Sequence, residues 1–234
     1  MLLPHSVIGS QTNDPYFKNV SLLLSARDGI IKDYSKNNHA ISVVGNTAIS
    51  STQAKWGNKS IYFDGNGDYL SIAYNSSQFD WWTNNYTIEA FIFASSYSSW
   101  SDVGSPSLPN LVGNISLVNR NNYYSFGISG NKVIFYYFNG LENRVISTSS
   151  VNLNQWNHIA MTKSSNGITL FVNGLSQGNV AISGTPLSSS SYNMIIGSYN
   201  NTSLNGFTDS LRITKGVARY TSNFTVPTQP FPNW

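Results

Sequence analysis

Short runs of large apolar and β-branched residues recur along the chain, and turn-forming residues separate them. The clearest case is a pair of such runs at 156–162 and 168–172, joined by Ser165, Asn166 and Gly167. Asn and Gly accept the positive φ angles of a tight turn, so this stretch predicts a β-hairpin. We expect the rest of the fold to be organised around it.

The first strand of this hairpin is bulky on both of its faces. Side chains alternate along a strand, which puts Ile159 and Met161 on one face and His158 and Ala160 on the other. Large residues on both faces are typical of the middle of a sandwich, where a strand is covered on each side. His158 is therefore expected to be packed and hydrogen-bonded, in preference to a role as base or metal ligand.

Similar strand patterns cover most of the remaining chain. Further strands are predicted at 20–25, 40–44, 60–63, 69–73, 86–94, 111–118, 124–128, 132–138, 144–147, 176–182, 194–199 and 206–214. The polar segment 75–85, which contains the aromatic cluster FDWW, predicts one helical turn. Short strands that repeat at intervals of about 8–12 residues indicate a sandwich or jelly roll. The chain is predicted to be an all-β, two-sheet antiparallel jelly-roll β-sandwich.

The two ends of the chain lack this strand pattern. We divide the chain into an N-terminal arm (1–17), a jelly-roll domain (18–219) and a C-terminal strap (220–234). The strap combines three prolines with Phe224, Phe231 and Trp234, which makes it too rich in proline for a strand and too aromatic for a solvated tail. These three aromatic residues are the predicted partner-binding positions, and the arm is expected to lie over the fold or on a partner.

The amino-acid composition argues against several classes of protein. Charged residues are only 10% of the 234 residues, against roughly 25% in ordinary domains, and the formal net charge is +3. The basic residues are scattered, so nucleic-acid binding has little support. The absence of cysteine excludes a disulfide framework and thiolate metal sites. No apolar run approaches the roughly 18 residues of a membrane span, and no signal peptide is evident.

Five segments, in this order, resemble the concanavalin A-like lectin/glucanase superfamily in its laminin-G-like jelly-roll branch. The segments are VSLLLSARDGIIKDYSKNNHAISVVGNTAIS, AKWGNKSIYFDGNGDYLSI, FDWWTNNYTIEAFIF, NQWNHIAMTKSSNGITLFVNG and GFTDSLRITKGVARYTSNFTVPTQPFP. Together they cover most of the chain from about residue 15. The resemblance implies a concanavalin A-like sandwich of roughly a dozen strands.

The last of these segments is similar to a chain ending found in structural and fibre proteins of tailed bacterial viruses. This resemblance implies a non-enzymatic structural component of a bacteriophage particle, either a capsid decoration or a head-fibre protein. The expected partners are the major capsid or other virion proteins, the expected state is a homo-oligomer, and the expected location is the virion, after assembly in the host cytoplasm. The start at Met1 favours a self-standing component. The alternative is a carbohydrate-binding lectin module of a tail fibre or secreted adhesin, with cell-surface glycans as partners.

An enzymatic role is not expected. The glucanases of the superfamily use closely spaced carboxylates as acid and nucleophile, as retaining glycosidases require. This chain has two glutamates, Glu89 and Glu142, which are far apart and have no acidic neighbour. Glu89 is expected to be a structural carboxylate that accepts hydrogen bonds from loops.

Two kinds of site follow from the resemblance and from the loops. The resemblance implies a structural calcium held by Asp28, Asp33 and Asp209, although Ser210 stands where relatives more often have Glu; carboxylates and backbone carbonyls are the ligands that calcium prefers. The polar loop 95–110 is the predicted recognition surface. The candidate residues for stacking on a glycan or contacting a partner are Tyr97, Trp100, Tyr123 and Tyr124. The alternative for these four is ordinary surface exposure, since the chain has 14 tyrosines.

Overall fold

The computed structural model describes residues 13–97, 111–115, 122–187, 192–199 and 202–234. These residues form 18 strands, a 3₁₀ helix at Phe17–Asn19 and a one-turn helix α1 at Ser76–Phe79, which begins where the Asn75 side chain accepts a hydrogen bond from the N–H of Ser77. The strands are β1 (Val20–Ser25), β2 (Lys32–Asp33), β3 (Ser42–Val44), β4 (Ala48–Ser50), β5 (Ser60–Asp64), β6 (Tyr69–Ile72), β7 (Tyr86–Ala94), β8 (Val112–Ile115), β9 (Asn122–Ser129), β10 (Lys132–Phe138), β11 (Glu142–Ser150), β12 (Trp156–Ser164), β13 (Gly167–Val172), β14 (Leu175–Val180), β15 (Met194–Ile196), β16 (Ser198–Tyr199), β17 (Thr202–Ser203) and β18 (Asn205–Lys215). Within the described ranges, no helix has the length and apolar character of a membrane span.

Two antiparallel sheets pack against each other. Sheet A has the order β14-β13-β12-β7-β18-β1-β2, and β5 pairs with the first half of β18 and with β4. Sheet B has the order β11-β10-β9-β8-β15-β6-β3, and β16 and β17 form a separate small ribbon. The predicted two-sheet antiparallel jelly-roll sandwich is confirmed.

The space between the sheets is filled by apolar side chains that alternate along each strand. Ile159 and Met161 of β12 are fully buried in this core, as the period-two pattern predicts. Trp81, from the loop after α1, is also fully buried, and its ring packs edge-on against Phe135 with 4.9 Å between the ring centroids. The aromatic cluster at 79–82 thus closes one end of the core.

The observed strands differ from the predicted ones in a few places. The predicted strand 194–199 is interrupted at Gly197, whose φ of 91° lies in the left-handed region, and β11 is longer at both ends than the predicted 144–147. Strands β2 and β4 have only two and three residues, too few for a recognisable period. The predicted 111–118 strand is observed as β8, and residues 116–121 lie outside the described part of the chain.

Both described chain ends lie on the outer face of sheet A. Phe17 and Phe231 are buried against Phe91 of β7, in a second apolar cluster on the side of the sheet that faces away from sheet B. Phe224 stacks on Tyr220 with 3.6 Å between the ring centroids. Phe224 and Phe231 therefore contact their own chain. Phe231 is only 2% exposed, which contradicts its predicted role in binding a partner. For Phe224, which is half-buried, and Trp234, which is 47% exposed, partner binding stays a prediction. Residues 1–12 of the predicted arm lie outside the described residues.

Gly197 offers a test of how tightly the core is packed. A Cβ at this position would collide with the ring of Phe63, which is fully buried and has no room to move. At Gly57, where φ is also positive, a Cβ would meet nothing within 4 Å. We expect Gly197→Ala to lower the free energy of unfolding by about 1–3 kcal/mol more than Gly57→Ala, because both add backbone strain but only the first overpacks the core. Urea denaturation of the two variants measures this, and equal losses would contradict it.

Candidate functional site

A network of buried charges lies on the outer face of sheet A. Its centre is Glu89 of β7, which is fully buried and lies opposite Arg212 of β18. Arg212 donates two hydrogen bonds to Oε1 of Glu89, from Nη2 at 2.7 Å and from Nε at 2.9 Å. The other carboxylate oxygen, Oε2, accepts a hydrogen bond from the Tyr220 hydroxyl at 2.6 Å and lies 3.2 Å from Nε2 of His158.

The network extends to the N-terminal segment through Asp14. Arg219 donates two hydrogen bonds to this carboxylate, at 3.0 and 2.7 Å. Arg212 donates a third from Nη1 at 3.1 Å, so its guanidinium bridges Asp14 and Glu89. Charge-assisted, bidentate pairing of the kind that Arg219 makes with Asp14 is among the strong forms of hydrogen bonding in proteins. The network therefore ties both terminal segments to the two central strands.

Both carboxyl groups of the network are held in the ionised form. Burial opposes ionisation of Glu89, but the Arg212 charge and the hydrogen bond with His158 outweigh it and hold the pKa of Glu89 well below its usual range. Burial likewise opposes ionisation of Asp14, and the hydrogen bond and charge of Arg219 overcome it and lower the pKa of Asp14. A glycosidase acid needs a raised pKa and access to substrate, and these two groups have neither. Glu89 is a structural carboxylate whose donors are mostly side chains of neighbouring strands and of the strap.

The three predicted calcium ligands do not come together. Asp28 is exposed and accepts a hydrogen bond from the Tyr34 hydroxyl, whereas Asp33 is buried and accepts from the N–H groups of Leu23, Ser35 and His39. Asp209 is also buried; it accepts from the N–H of Trp56, and burial raises its pKa. Among the described residues, no three acidic or histidine side chains form a group that could hold a metal ion. The structure contradicts the predicted grouping of these three side chains.

The three predicted stacking residues that the structure describes each have a different partner within the chain. Tyr124 is fully buried and its hydroxyl donates to the carbonyl of Phe79 at 3.1 Å, so its predicted role on the surface is wrong. Tyr97 is half-buried and its hydroxyl donates to the carbonyl of Val151 at 2.6 Å. Tyr123 is half-buried and stacks on Tyr192 with 5.7 Å between the ring centroids. Trp100 and most of loop 95–110 lie outside the described residues.

An open pocket lies at one end of the sandwich, where the β12–β13 hairpin turn faces the loop after α1. Its volume is about 330 Å³, at the lower end of the range for small-molecule sites. Trp82 and Lys163 line one side, and the turn 164–167 and residues 181–182 line the rest. We call this site the Trp82 pocket.

The walls of the Trp82 pocket combine an aromatic ring with neutral polar groups. Ser165 and Asn166 are exposed at the rim, and Trp82 is half-buried. The Lys163 ammonium donates to the carbonyls of Trp82 at 2.6 Å and Asn84 at 2.9 Å, and lies 5.4 Å from the Trp82 ring centroid. Burial lowers the pKa of Lys163, and the negative charge of Asp80 partly opposes this shift.

The sequence contained a weak signal for this pocket. The FDWW cluster stood out in an otherwise polar segment, and the turn at 165–167 was evident. These two segments are separated by more than eighty residues of chain, and only the pairing of β12 with β7 brings them together. Sequence patterns alone could not show that they share a pocket.

Comparison with known families settles the class of the fold. The family model described as the concanavalin A-like lectin/glucanases superfamily matches residues 64–219, more than half of the chain. The chain belongs to this laminin-G family. No match was found among curated protein sequences.

Several solved structures share this architecture. This laminin-G domain is similar to the binding domain of Paraclostridial Mosquitocidal Protein 1, with a TM-score of 0.68 and 18% identity over 88% of this chain and 50% of that chain. The receptor-binding domain of botulinum neurotoxin type G gives a TM-score of 0.60 and 17% identity, over 88% of this chain and 49% of that chain. The chain thus spans about half the length of these toxin domains.

One similar structure was solved with a saccharide. Domain 4 of AbnA, an extracellular arabinanase from Geobacillus stearothermophilus, was solved in complex with arabinotriose. Its TM-score is 0.64 with 15% identity, and the match covers 85% of this chain and 93% of that chain. At these identities the similarities show the fold of the laminin-G domain.

The Glu89 network predicts a large stability effect for a small change. Glu89→Gln removes the counter-charge of Arg212 in a buried site, and we expect a loss of about 3–5 kcal/mol in the free energy of unfolding at pH 7. Glu142→Gln is the matched control, because the Glu142 side chain is 52% exposed and its ion pair within the described chain is with Arg144; its cost should stay below about 1 kcal/mol. Equal costs by urea denaturation would contradict the structural role of the network.

The same network predicts how stability changes with pH. Glu89 and Asp14 have folded-state pKa values below those of the unfolded chain, so the folded state binds fewer protons at acidic pH. Their contribution is complete above the unfolded values of about 4 and is lost as the pH falls through the folded-state values. Unfolding curves of the wild type should show a steep loss of stability below about pH 4. Glu89→Gln should show a shallower loss, and parallel pH profiles would refute this assignment.

Proposed function

We propose that the chain is a non-catalytic carbohydrate-binding module that holds a saccharide in the Trp82 pocket. The observation that carries this proposal is an open pocket of about 330 Å³ with an indole on one wall and an amide and hydroxyls at its rim. Sugars present C–H faces that pack on aromatic rings and hydroxyls that exchange hydrogen bonds with amide and hydroxyl groups. The lining of the Trp82 pocket offers both kinds of contact.

The composition of the chain fits the same function. Charged residues are only 10% of the sequence, so neutral polar groups make up much of the surface. Such a surface interacts with polyhydroxyl ligands through hydrogen bonds. It also lacks the concentrated charge that attracts nucleic acids.

The comparisons support a binding role. The domain of the Geobacillus arabinanase was solved with arabinotriose, and the toxin domains are described as binding or receptor-binding domains. A non-catalytic role is supported by the Glu89 network, whose carboxylates are buried and held ionised.

The phage-particle role has less support. It rests on the resemblance of the chain ending, and that ending packs on sheet A through Phe224 and Phe231. None of these toxin and arabinanase domains is described as a virion protein. The virion location, the capsid partners and the homo-oligomeric state remain predictions from the sequence.

The proposal predicts which residues a saccharide contacts. On an array of neutral and acidic oligosaccharides we expect the full chain to bind a subset, and Trp82→Ala to weaken that binding by at least about tenfold, as loss of a central aromatic contact does. Tyr192→Ala is the matched aromatic control, because Tyr192 stacks on Tyr123 and does not line the pocket.

A second variant separates binding from folding. Trp82 also packs against the main core, whereas the side chain of Asn166 is exposed at the rim. Asn166→Ala should therefore leave the melting temperature unchanged and weaken binding. Unchanged affinity in both pocket variants, or an effect of Tyr192→Ala alone, would place the saccharide elsewhere.

A further inference from the structure

Lys163 sets the Trp82 pocket apart from a purely neutral sugar site. It is the one charged residue among the described residues that line the pocket, and no carboxylate lines it. A neutral saccharide needs no such charge. The chemistry of this lysine therefore bears on the class of saccharide, and an inference about that class rests on the proposed function.

Two hydrogen bonds hold the Lys163 ammonium in place and leave one of its N–H groups available to a ligand. Its hydrogen bonds to the carbonyls of Trp82 and Asn84 fix two of its three N–H groups. Within the described part of the chain, the third N–H has no acceptor. A cation fixed in this way loses little side-chain entropy when a ligand binds, so its remaining hydrogen bond is preorganised.

A single described carboxylate, that of Asp80, acts on Lys163 and on a second lysine, Lys215. Lys215 donates to the carbonyls of Ser76 and Ser77, and neither lysine forms a direct ion pair with a carboxylate of the described residues. Asp80 and these two partly buried lysines together carry a net charge of +1.

We infer that the pocket selects an acidic saccharide and places its carboxylate against Lys163. A carboxylate brings one negative charge, which offsets the net charge of these three groups, and an oxygen that accepts the free N–H. Charge-assisted hydrogen bonds are shorter and about twice as strong as neutral ones, so this contact discriminates against uncharged sugars. The ligand class is a saccharide that contains a uronic or sialic acid, with the Trp82 ring against the sugar face.

The test compares an acid with its neutral ester on the full chain. Isothermal titration with trigalacturonic acid and with its methyl ester compares the same sugar backbone with and without its carboxylate charges. We expect the acid to bind at least about tenfold more tightly, and its affinity to fall as salt is added while that of the ester does not. Sialyllactose and lactose form a second pair with a different acidic sugar.

Substitution of the lysine locates the effect. Lys163→Met keeps the length of the side chain without its charge, and should bring the acid-to-ester affinity ratio close to one. Lys132→Met is the matched control, because Lys132 also donates to a backbone carbonyl, that of Thr148, but does not line the pocket. Its acid-to-ester ratio should equal that of the wild type.

The outcomes separate this inference from the proposed function. Equal binding of acid and ester, lost in Trp82→Ala but unchanged in Lys163→Met, would overturn the inference and leave the carbohydrate-binding function standing. If neither probe pair shifts the NMR resonance of the Trp82 indole, the inference is overturned for uronic and sialic acids. If no saccharide of a wider array binds, the proposed function is overturned as well. If Lys163→Met does not fold, the wild-type comparison of acid and ester at two salt concentrations decides alone.

Discussion

The ion pair between Glu89 and Arg212 is the constraint on which the outer face of sheet A depends. A carboxylate in the middle of a sheet and fully out of water is very costly unless donors surround it. Arg212 of the neighbouring strand supplies two donors, and Tyr220 supplies another from the C-terminal strap. A segment that covers this face must therefore carry polar groups that pair with the network. The N-terminal segment supplies Asp14 and the C-terminal strap supplies Tyr220.

This constraint explains why the chain ends behave as parts of the fold. Asp14 and Arg219 come from opposite ends of the domain and meet at 2.7 Å, next to Arg212. Around this polar centre, Phe17 and Phe231 add apolar burial, and Phe224 donates its N–H to the carbonyl of Gly174. Gly174 has a positive φ, and a Cβ there would collide with the carbonyl of Phe224. The same glycine thus makes the turn after β13 and lets the strap lie close to it.

Covering sheet A has a consequence for function. Glu89 and Asp14, whose pKa values are lowered, are buried under the chain ends, where a ligand has no access. The accessible chemistry lies at the end of the sandwich, where the β12–β13 turn meets Trp82. The described lining of this pocket combines an aromatic wall, neutral polar groups and one fixed ammonium, and it contains no carboxylate.

Local patterns in the sequence determined the elements and much of their burial. The alternation in 156–162 put Ile159 and Met161 in the core and gave His158 a packed position, because neighbouring side chains of a strand must point to opposite faces. The same alternation places Tyr124 on the face of β9 that carries the buried Phe126, so the pattern was consistent with burial of Tyr124. What covers the second face of β12 was decided only by tertiary structure: the strap folds back onto sheet A, since Phe224 and Phe231 find their apolar surface there. The meeting of Trp82 with Lys163 was also decided by strand pairing, because register and sheet order join residues that lie far apart in the chain.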